Sequence, residues 1–328
     1  NAKIAQQIEN MKQQTIGVEI EMSGISRQKV AKVVARYFGT ENTVRHDGGG
    51  YDAWSCRDNQ GRTWRVVSDA SIQGECAELT TPILHYEDIG DLQEITRQLR
   101  HSGAISNPAH GCGVHIHIGA DGHTAATLRN LANIMASHEA LLAEALRLDS
   151  RRMRQYCKVV DPDFLRRLNQ RKPSTMAALA DIWYEGYYGT RNAHYNHSRY
   201  HMLNLHATFT KGTIEFRLFQ FDNPTAERKG GLHAGQLKSY IQLCLALSQM
   251  AKTVKTASPK PQQNENPKYA MRTWLLRLGF IGDEFATARE ILTRNLQGDA
   301  AFGTAEPPEG ISRRPPFDRF GGLKVVEG

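Results

Sequence analysis

Apolar residues alternate with charged or imidazole residues in three short segments of the chain. A period of two predicts β-strands that have one apolar face and one polar face. A solvated sheet face usually carries Lys, Thr and Ser, whereas these segments place Glu, His and Arg between apolar neighbours. The segments and their polar residues are residues 17–22 with Glu19 and Glu21, residues 113–118 with His115 and His117, and residues 213–218 with Glu215 and Arg217.

Residues 200–209 follow the same alternation, which predicts a fourth strand with Asn204 and His206 on its polar face. Longer segments between the strands repeat their apolar residues at helical spacing. The first predicted helix begins after Ser26, which can cap it, and ends at Gly39. Residues 15–221 are therefore predicted to form a mixed α and β domain on a substantial sheet. The other predicted helices cover residues 85–101, 124–148, 174–184 and 225–252.

A change in composition predicts the end of this domain. Residues 253–267 are rich in Pro, Lys, Gln and Asn, which is typical of a linker. Amphipathic stripes that begin at Met271 then predict a small helical segment. We therefore expect a catalytic domain in residues 1–252, a linker in residues 253–267, and a helical appendage and tail in residues 268–328, with a mobile tail or extended strap from Gly303 onward.

Composition excludes some classes of protein and leaves others open. No apolar run approaches the roughly 18 residues of a membrane span, and the first 14 residues do not resemble a secretory signal, so we expect a cytoplasmic protein without membrane contact. Five cysteines without paired spacing argue against a disulfide framework or a structural zinc site. The net charge of +7 invites a nucleic-acid function. The densest basic cluster, at Arg151, Arg152 and Arg154, has no aromatic platform beside it, so a basic surface that attracts anionic substrates is favoured.

The acidic residues of the predicted strands favour a metal centre. A cross-strand salt bridge would explain one such strand, but three strands with the same signature favour a common cluster. Adjacent carboxylates repel one another unless a cation lies between them. Asp69, at the end of the predicted strand 64–68, and Glu78 extend the cluster, so we expect two or more divalent ions. Carboxylates with His115 or His117 suit Mg²⁺ or Mn²⁺ beside phosphate oxygens.

Six motifs follow one another along the chain: residues 17–21, 69–71, 78–82 and 113–118, Asn204, and residues 215–217. Their order and spacing together resemble the amidoligase family, whose distant relatives are glutamine synthetase and glutamate–cysteine ligase. Phosphate-binding loops of the G-x-x-x-x-G-K-[ST] and G-x-G-x-x-G types are absent, and so is a nucleophile motif of the G-x-S-x-G type. The resemblance covers most of the chain.

The resemblance implies an α+β fold: a curved, mainly antiparallel sheet of the glutamine synthetase type, with helices on its outer face and a small C-terminal helical segment. It also implies that ATP and metal ions bind on the inner face. The implied metal ligands are Glu19 and Glu21 on two different ions, Asp69 with Glu75 or Glu78 beside one of them, and His115 or His117 with Glu215 beside the other. The implied catalytic residues are Arg217, Glu215 and Glu21, and the implied nucleotide-binding residues are Arg217, Asn204 and Ser71.

The predicted activity is the ATP- and Mg²⁺-dependent joining of a carboxylate to an amine through an acyl phosphate. Arg217 would hold the terminal phosphate, and residues 45–61 and 185–199 are predicted to be lids or acceptor-binding segments. Arg151, Arg154 and Tyr156 are candidates for binding a substrate carboxylate or phosphate, with a solvated helix end as the alternative. Two rival functions stay open: an ATP-dependent phosphotransferase on the same sheet, and a metal-dependent nuclease or nucleic-acid-binding protein.

Overall fold

The computed structural model describes residues 2–72, 74–261 and 265–301. Within these residues, eight strands form one sheet in the order β2-β3-β4-β5-β1-β6-β8-β7, and every pair of neighbouring strands is antiparallel. The predicted mixture of helices and an antiparallel sheet is therefore confirmed. The strands are β1 Ile16–Ser23, β2 Arg45–Gly48, β3 Ala53–Arg57, β4 Thr63–Val67, β5 Cys76–Thr80, β6 Val114–Gly119, β7 Leu203–Asn204 and β8 Thr213–Phe219.

One face of the sheet packs against helices, and the polar residues of the strands lie on the other face. The apolar side chains of β1 and β6, among them Val18, Ile20 and Ile116, belong to the main hydrophobic core. Helices α2 and α9 contact the strands over this core. None of the helices in the described ranges combines the length and apolar character needed to cross a membrane. The helices are α1 Ala2–Lys12, α2 Arg27–Phe38, α3 Ile89–His101, α4 Ala125–Ala145, α5 Ser150–Gln155, α6 Pro162–Arg171, α7 Met176–Tyr184, α8 His206–Lys211, α9 Ala234–Thr253, α10 Pro267–Arg277 and α11 Ala286–Thr293.

The predicted first helix is α2, and its ends form as the sequence indicates. The Ser26 hydroxyl accepts a hydrogen bond from the Lys29 backbone N–H, which satisfies a donor at the start of the helix. Gly39 ends the helix with a φ of 69°, a left-handed conformation that is strained for residues with a Cβ atom. The apolar residues at helical spacing, including Val30 and Val34, are buried against the sheet.

Two predicted elements differ from the structure. The strand predicted for residues 200–209 is wrong: only Leu203–Asn204 pairs with the sheet, and His206–Lys211 forms helix α8. The Asn204 side chain accepts a hydrogen bond from the His206 backbone N–H, which turns the chain out of the sheet and into the helix. The helix predicted from residue 225 begins only at Ala234, after an irregular segment.

The two C-terminal helices pack against the rest of the protein. Trp274 of α10 stacks on His138 of α4, with ring centroids 3.8 Å apart. The Asn295 side chain donates a hydrogen bond of 2.9 Å to the Ala145 carbonyl at the end of α4. Buried residues of α10 and α11 belong to the same core as α4 and α9. The division into catalytic domain, linker and appendage stays a prediction, and the tail predicted from Gly303 onward lies outside the described residues.

Candidate metal centre

The registers of the central strands bring the polar side chains together. Strand β1 pairs on one side with β5, where Glu21 lies opposite Glu78. On its other side β1 pairs with β6, where Glu19 lies opposite His115. The next pair places His117 of β6 opposite Glu215 of β8. Residues in directly opposed positions have Cβ atoms roughly 5 Å apart, so these registers collect the side chains on one face.

Glu19, His117 and Glu215 form the first of two groups that could hold a metal ion. Each contributes one ligand atom, and these atoms lie within 4.8 Å of one another. His117 Nε2 lies 3.2 Å from a Glu19 carboxylate oxygen. The other ring nitrogen, Nδ1, forms a 2.8 Å hydrogen bond with the Thr213 hydroxyl, which holds the ring in this orientation. We call these three residues the imidazole set.

Glu21, Asp69 and Glu78 form the second group, whose ligand atoms meet the same distance limit of 4.8 Å. The backbone N–H of Gly113 donates a 2.6 Å hydrogen bond to one Glu21 oxygen. The backbone N–H of Ser71 donates a 2.7 Å hydrogen bond to Asp69. These bonds hold two of the three carboxylates in place. We call the group the carboxylate set.

His115 lies between the two sets. Its Nδ1 atom is 3.1 Å from an oxygen of Glu19, and its Nε2 atom is 3.7 Å from an oxygen of Glu21. One imidazole ring therefore separates the two groups of ligands. A pair of sites this close, made of carboxylate oxygens and imidazole nitrogen, fits two hard divalent cations such as Mg²⁺ or Mn²⁺.

The charges of the imidazole set stabilise one another. Burial raises the pKa of Glu215, but Arg217 and His117 outweigh it and lower this pKa to about 2. Burial likewise opposes ionisation of Glu19, whose pKa is nevertheless well below its usual value because His117 and His115 are beside it. The pKa of His117 is raised, because Glu215 and Glu19 outweigh the opposing effects of burial and of Lys211. The imidazole set therefore keeps its carboxylates ionised without a metal ion.

The carboxylate set behaves in the opposite way. Burial raises the pKa of Glu78, and the negative charges of Glu19, Glu21 and Asp69 raise it further. The fully ionised set is therefore unfavourable on its own and would be relieved by a divalent cation.

A β-bulge places Arg217 beside the imidazole set. Between Val114 and Ile116 the partner strand β8 advances from Phe219 to Phe216, so β8 contains one extra residue. The Arg217 guanidinium donates a 2.7 Å hydrogen bond to Glu215. It also donates a 3.4 Å hydrogen bond to the Tyr156 backbone carbonyl.

Arg152 stabilises this bulge by hydrogen bonds to its backbone. Its buried guanidinium donates hydrogen bonds to the carbonyls of Arg217 and Leu218, at 3.1 Å and 3.2 Å. Both carbonyls belong to the bulged part of β8, between Phe216 and Phe219. The guanidinium passes so close to Gly113 that a Cβ atom there would lie 2.4 Å from it. Glycine at position 113 thus allows both the arginine support and the N–H bond to Glu21.

A bridge between two loops spans the polar face. Tyr51 lies in the turn between β2 and β3, and Tyr195 lies in the segment before β7, at the other edge of the sheet. Their hydroxyl groups form a hydrogen bond, which raises the pKa of Tyr195 to about 12. His194 of the same segment lines a pocket together with Glu215, so this segment lies beside the imidazole set.

Comparison with known proteins identifies the family of the chain. The model of the family described as "Putative amidoligase enzyme" matches residues 12–248. The chain belongs to this amidoligase family. The match includes every residue of both metal-ligand sets.

One solved structure similar to this amidoligase-family chain is a bifunctional glutathione synthetase from Pasteurella multocida. The identity is 12%, the TM-score is 0.46, and the alignment covers 90% of this chain. It covers 49% of the synthetase, so the chain spans about half the length of that protein. No curated protein matches the chain.

The other predicted site residues of this amidoligase occupy different environments. Asn204 is buried and donates a 2.6 Å hydrogen bond to Glu215. Ser71, Arg151 and Arg154 are exposed. Tyr156 is half-buried, and its ring packs edge-on against Tyr200. The structure brings together the seven predicted metal ligands, while the roles of all these residues stay predictions.

Sequence reasoning missed several residues that build the site. Thr213 lies two residues before Glu215 and so shares its polar face, which means that the alternation of β8 contained the signal. Arg152 was counted only as part of a basic cluster, although it is the buried member between two exposed arginines. The Tyr51–Tyr195 bridge joins residues far apart in the chain, and no pattern in the sequence indicates it.

Proposed function

We propose that this protein is an ATP- and Mg²⁺- or Mn²⁺-dependent ligase that joins a carboxylate to an amine as an amide. The observation that carries the proposal is the pair of metal-ligand sets on either side of the His115 ring. A carboxylate is a poor electrophile and must be activated before an amine can attack it. Transfer of the terminal phosphoryl group of ATP to the carboxylate would form an acyl phosphate, and the amine would then displace phosphate.

The two sets suit this chemistry because phosphoryl transfer depends on positioning and on neutralising charge. Glu19, His117 and Glu215 would hold one ion. Glu21, Asp69 and Glu78 would hold the other. When bound, such ions neutralise the charge that spreads over the transferring phosphoryl oxygens. On this proposal His117, rather than His115, is the imidazole ligand, because Thr213 orients its ring for that role.

Other parts of the site would serve the same reaction. Arg217 and Asn204 both hydrogen-bond to Glu215, so they would orient this ligand toward its ion. The segment joined to Tyr51 through Tyr195 would exclude water, since hydrolysis of an acyl phosphate would waste ATP. Membership of the amidoligase family supports the ligase class. We extend the proposal to a catalytic core of the glutamine synthetase type with a curved sheet.

Incubation with ATP, Mg²⁺ and fractionated cell extract tests the proposal. We expect mass spectrometry to detect a condensation product that forms together with one ADP and one phosphate for each ATP consumed. Glu21→Ala and Glu215→Ala should each remove metal-dependent ATP turnover while circular dichroism stays unchanged. Glu75→Ala is the matched control, because Glu75 is exposed and lies outside both sets.

Two results would contradict the proposal in different ways. A phosphorylated product without an amide would indicate a phosphotransferase on the same sheet. ATP turnover that survives both Glu21→Ala and Glu215→Ala would show that the two sets are not the catalytic centre.

A further inference from the structure

A pocket with a volume of about 130 Å³ opens beside the imidazole set. Glu215 and Asn204, both buried, lie at its inner end. Arg199 and Lys211 line its outer part, together with the neighbouring His194. The pocket therefore connects a proposed ion site with two cationic side chains.

Both cations are available to a ligand. Lys211 is exposed, and its ammonium group makes no hydrogen bond or ion pair with the residues that the structure describes. Arg199 donates one hydrogen bond, of 3.0 Å, to the His194 carbonyl. Within the described ranges the other N–H donors of its guanidinium have no hydrogen-bond partner. An Arg guanidinium has five N–H donors, so most of its capacity is unused.

The position of Arg199 is nevertheless well defined. Its guanidinium lies over the rings of Tyr195 and Tyr200, at 5.6 Å and 5.7 Å from their centroids. Such contacts between a cation and an aromatic face hold the side chain in place before a ligand arrives. Arg217 also lies over Tyr200, but it is buried and bonded to Glu215 and to the Tyr156 carbonyl. Arg217 therefore has less capacity for a phosphate group than Arg199 or Lys211.

We propose that this pocket binds the polyphosphate chain of the nucleotide, with Arg199 and Lys211 as its cationic contacts. The inference rests on the proposed function and places the phosphates of ATP in the pocket beside Glu215. A phosphate chain has oxygens for an ion at Glu19, His117 and Glu215 and further oxygens for the two cations. Lys211 lines the same pocket as Glu215, so an anion that occupies the pocket lies between this lysine and a ligand of the proposed ion.

A polyphosphate fits the charges better than a single carboxylate does. The pocket offers two permanent cations and the edge of a proposed divalent-ion site, whereas one carboxylate would neutralise only one of these charges. At the inner end of the pocket, the Asn204 side chain donates a hydrogen bond to Glu215 and so holds this carboxylate in position to bind the ion. The acceptor carboxylate would then approach from the side of Glu21, Asp69 and Glu78.

Calorimetric titration of the full chain with ATP and with AMP, both with Mg²⁺, tests the proposal. We expect Lys211→Gln and Arg199→Gln each to weaken ATP binding about tenfold or more, because each removes a charged hydrogen-bond donor. Binding of AMP should change by less than about twofold, because AMP lacks the terminal phosphates. Inorganic tripolyphosphate should compete with ATP in the wild-type protein and compete less well in both variants.

Two control substitutions match the test variants. Arg191→Gln removes an exposed arginine of the same segment that pairs with Asp181 and does not line the pocket. Lys229→Gln removes an exposed lysine elsewhere. Both should bind ATP as the wild-type protein does, and thermal unfolding should be similar for all four variants.

The outcomes separate this inference from the proposed function. If the wild-type protein binds ATP and both test variants bind it equally well, the pocket assignment is wrong while the ligase proposal stands. Equal losses for ATP and AMP would also contradict the assignment, since the effect would not depend on the terminal phosphates. If the wild-type protein binds no nucleotide, both proposals fail.

Discussion

The hydroxyl groups of Tyr51 and Tyr195 hydrogen-bond to each other although their loops belong to opposite edges of the eight-stranded sheet. In a flat sheet, strands at the two edges would lie about 34 Å apart, because neighbouring strands are about 4.8 Å apart. For the two hydroxyl groups to meet, the loops must extend toward each other, and the sheet between them must twist or bend.

We predict that Tyr51→Phe and Tyr195→Phe loosen this bridge. Each change removes one hydroxyl from a single hydrogen bond, which contributes about 1 kcal/mol. Hydrogen exchange of residues 190–199 should therefore become about fivefold faster, as measured by mass spectrometry. Tyr188→Phe is the control, because Tyr188 is 95% exposed in the same segment. Equal exchange in all three variants would show that the bridge does not hold the segment.

A second prediction concerns the repulsion within the carboxylate set. Burial and three neighbouring carboxylates raise the pKa of Glu78, so its ionised form destabilises the folded protein when no metal ion is bound. The stability associated with Glu78 is present at low pH and is lost as the pH rises through the raised pKa. At pH 8 and without metal, Glu78→Gln should therefore raise the free energy of unfolding in a urea titration, because it removes a buried charge that its neighbours repel.

The same substitution should reduce the response to metal. Mn²⁺ should raise the melting temperature of the wild-type protein more than that of the Glu78→Gln variant, because the variant lacks a ligand charge. Glu75→Gln should leave both the stability and the Mn²⁺ response unchanged, since Glu75 is exposed. A Glu78→Gln variant that is less stable without metal and equally responsive to Mn²⁺ would argue against an ion at this set.

A third prediction concerns Glu139, which is buried on α4 and belongs to neither metal-ligand set. Burial raises its pKa to about 7, and the hydrogen bond from the Val160 backbone N–H only partly opposes this effect. Folding therefore favours the protonated form, and the associated stability is lost as the pH rises from about 4.5 to about 7. The wild-type protein should lose stability between pH 5 and pH 8, and Glu139→Gln should lack this loss. The difference in unfolding free energy between variant and wild type should therefore shift by on the order of 3 kcal/mol in favour of the variant.

Urea unfolding at the two pH values measures this difference. Glu144→Gln, on the exposed face of the same helix, is the control and should follow the wild-type protein at both pH values. Parallel pH dependence in the wild-type protein and the Glu139→Gln variant would show that Glu139 is ionised in the folded state at pH 5.

The strands of the site were predictable because each reveals its two faces within a few residues. Residues 17–22 and 113–118 lie within β1 and at β6, and their polar residues share one face as expected. Residues 200–209 show the limit of this reasoning. Leu203, Leu205 and Ala207 alternate as in a strand, yet the turn at Asn204 starts a helix that Gly212 ends with a φ of 72°. A capping residue and a glycine outweighed the alternation there.

The grouping of the ligands was less predictable than their presence. Which carboxylates share an ion depends on which strands are neighbours, and β1 pairs with β5 and β6, neither of which follows it directly in the chain. The sequence therefore left open whether Glu75 or Glu78 joins Asp69, and whether His115 or His117 joins Glu215. The bulge in β8 and its support by Arg152 depend on tertiary contacts that no local pattern records.

Strand β1 is hydrogen-bonded on both sides and contributes Glu19 to one set and Glu21 to the other. A slip of one residue in its pairing would turn both carboxylates toward the hydrophobic core and bring Ile20 to the polar face. During folding the two metal-ligand sets therefore gain their β1 ligands together or not at all. If the sets bind ions as proposed, a misregistered chain would bind neither, and metal binding should return in one step when a denatured sample regains its native pairing.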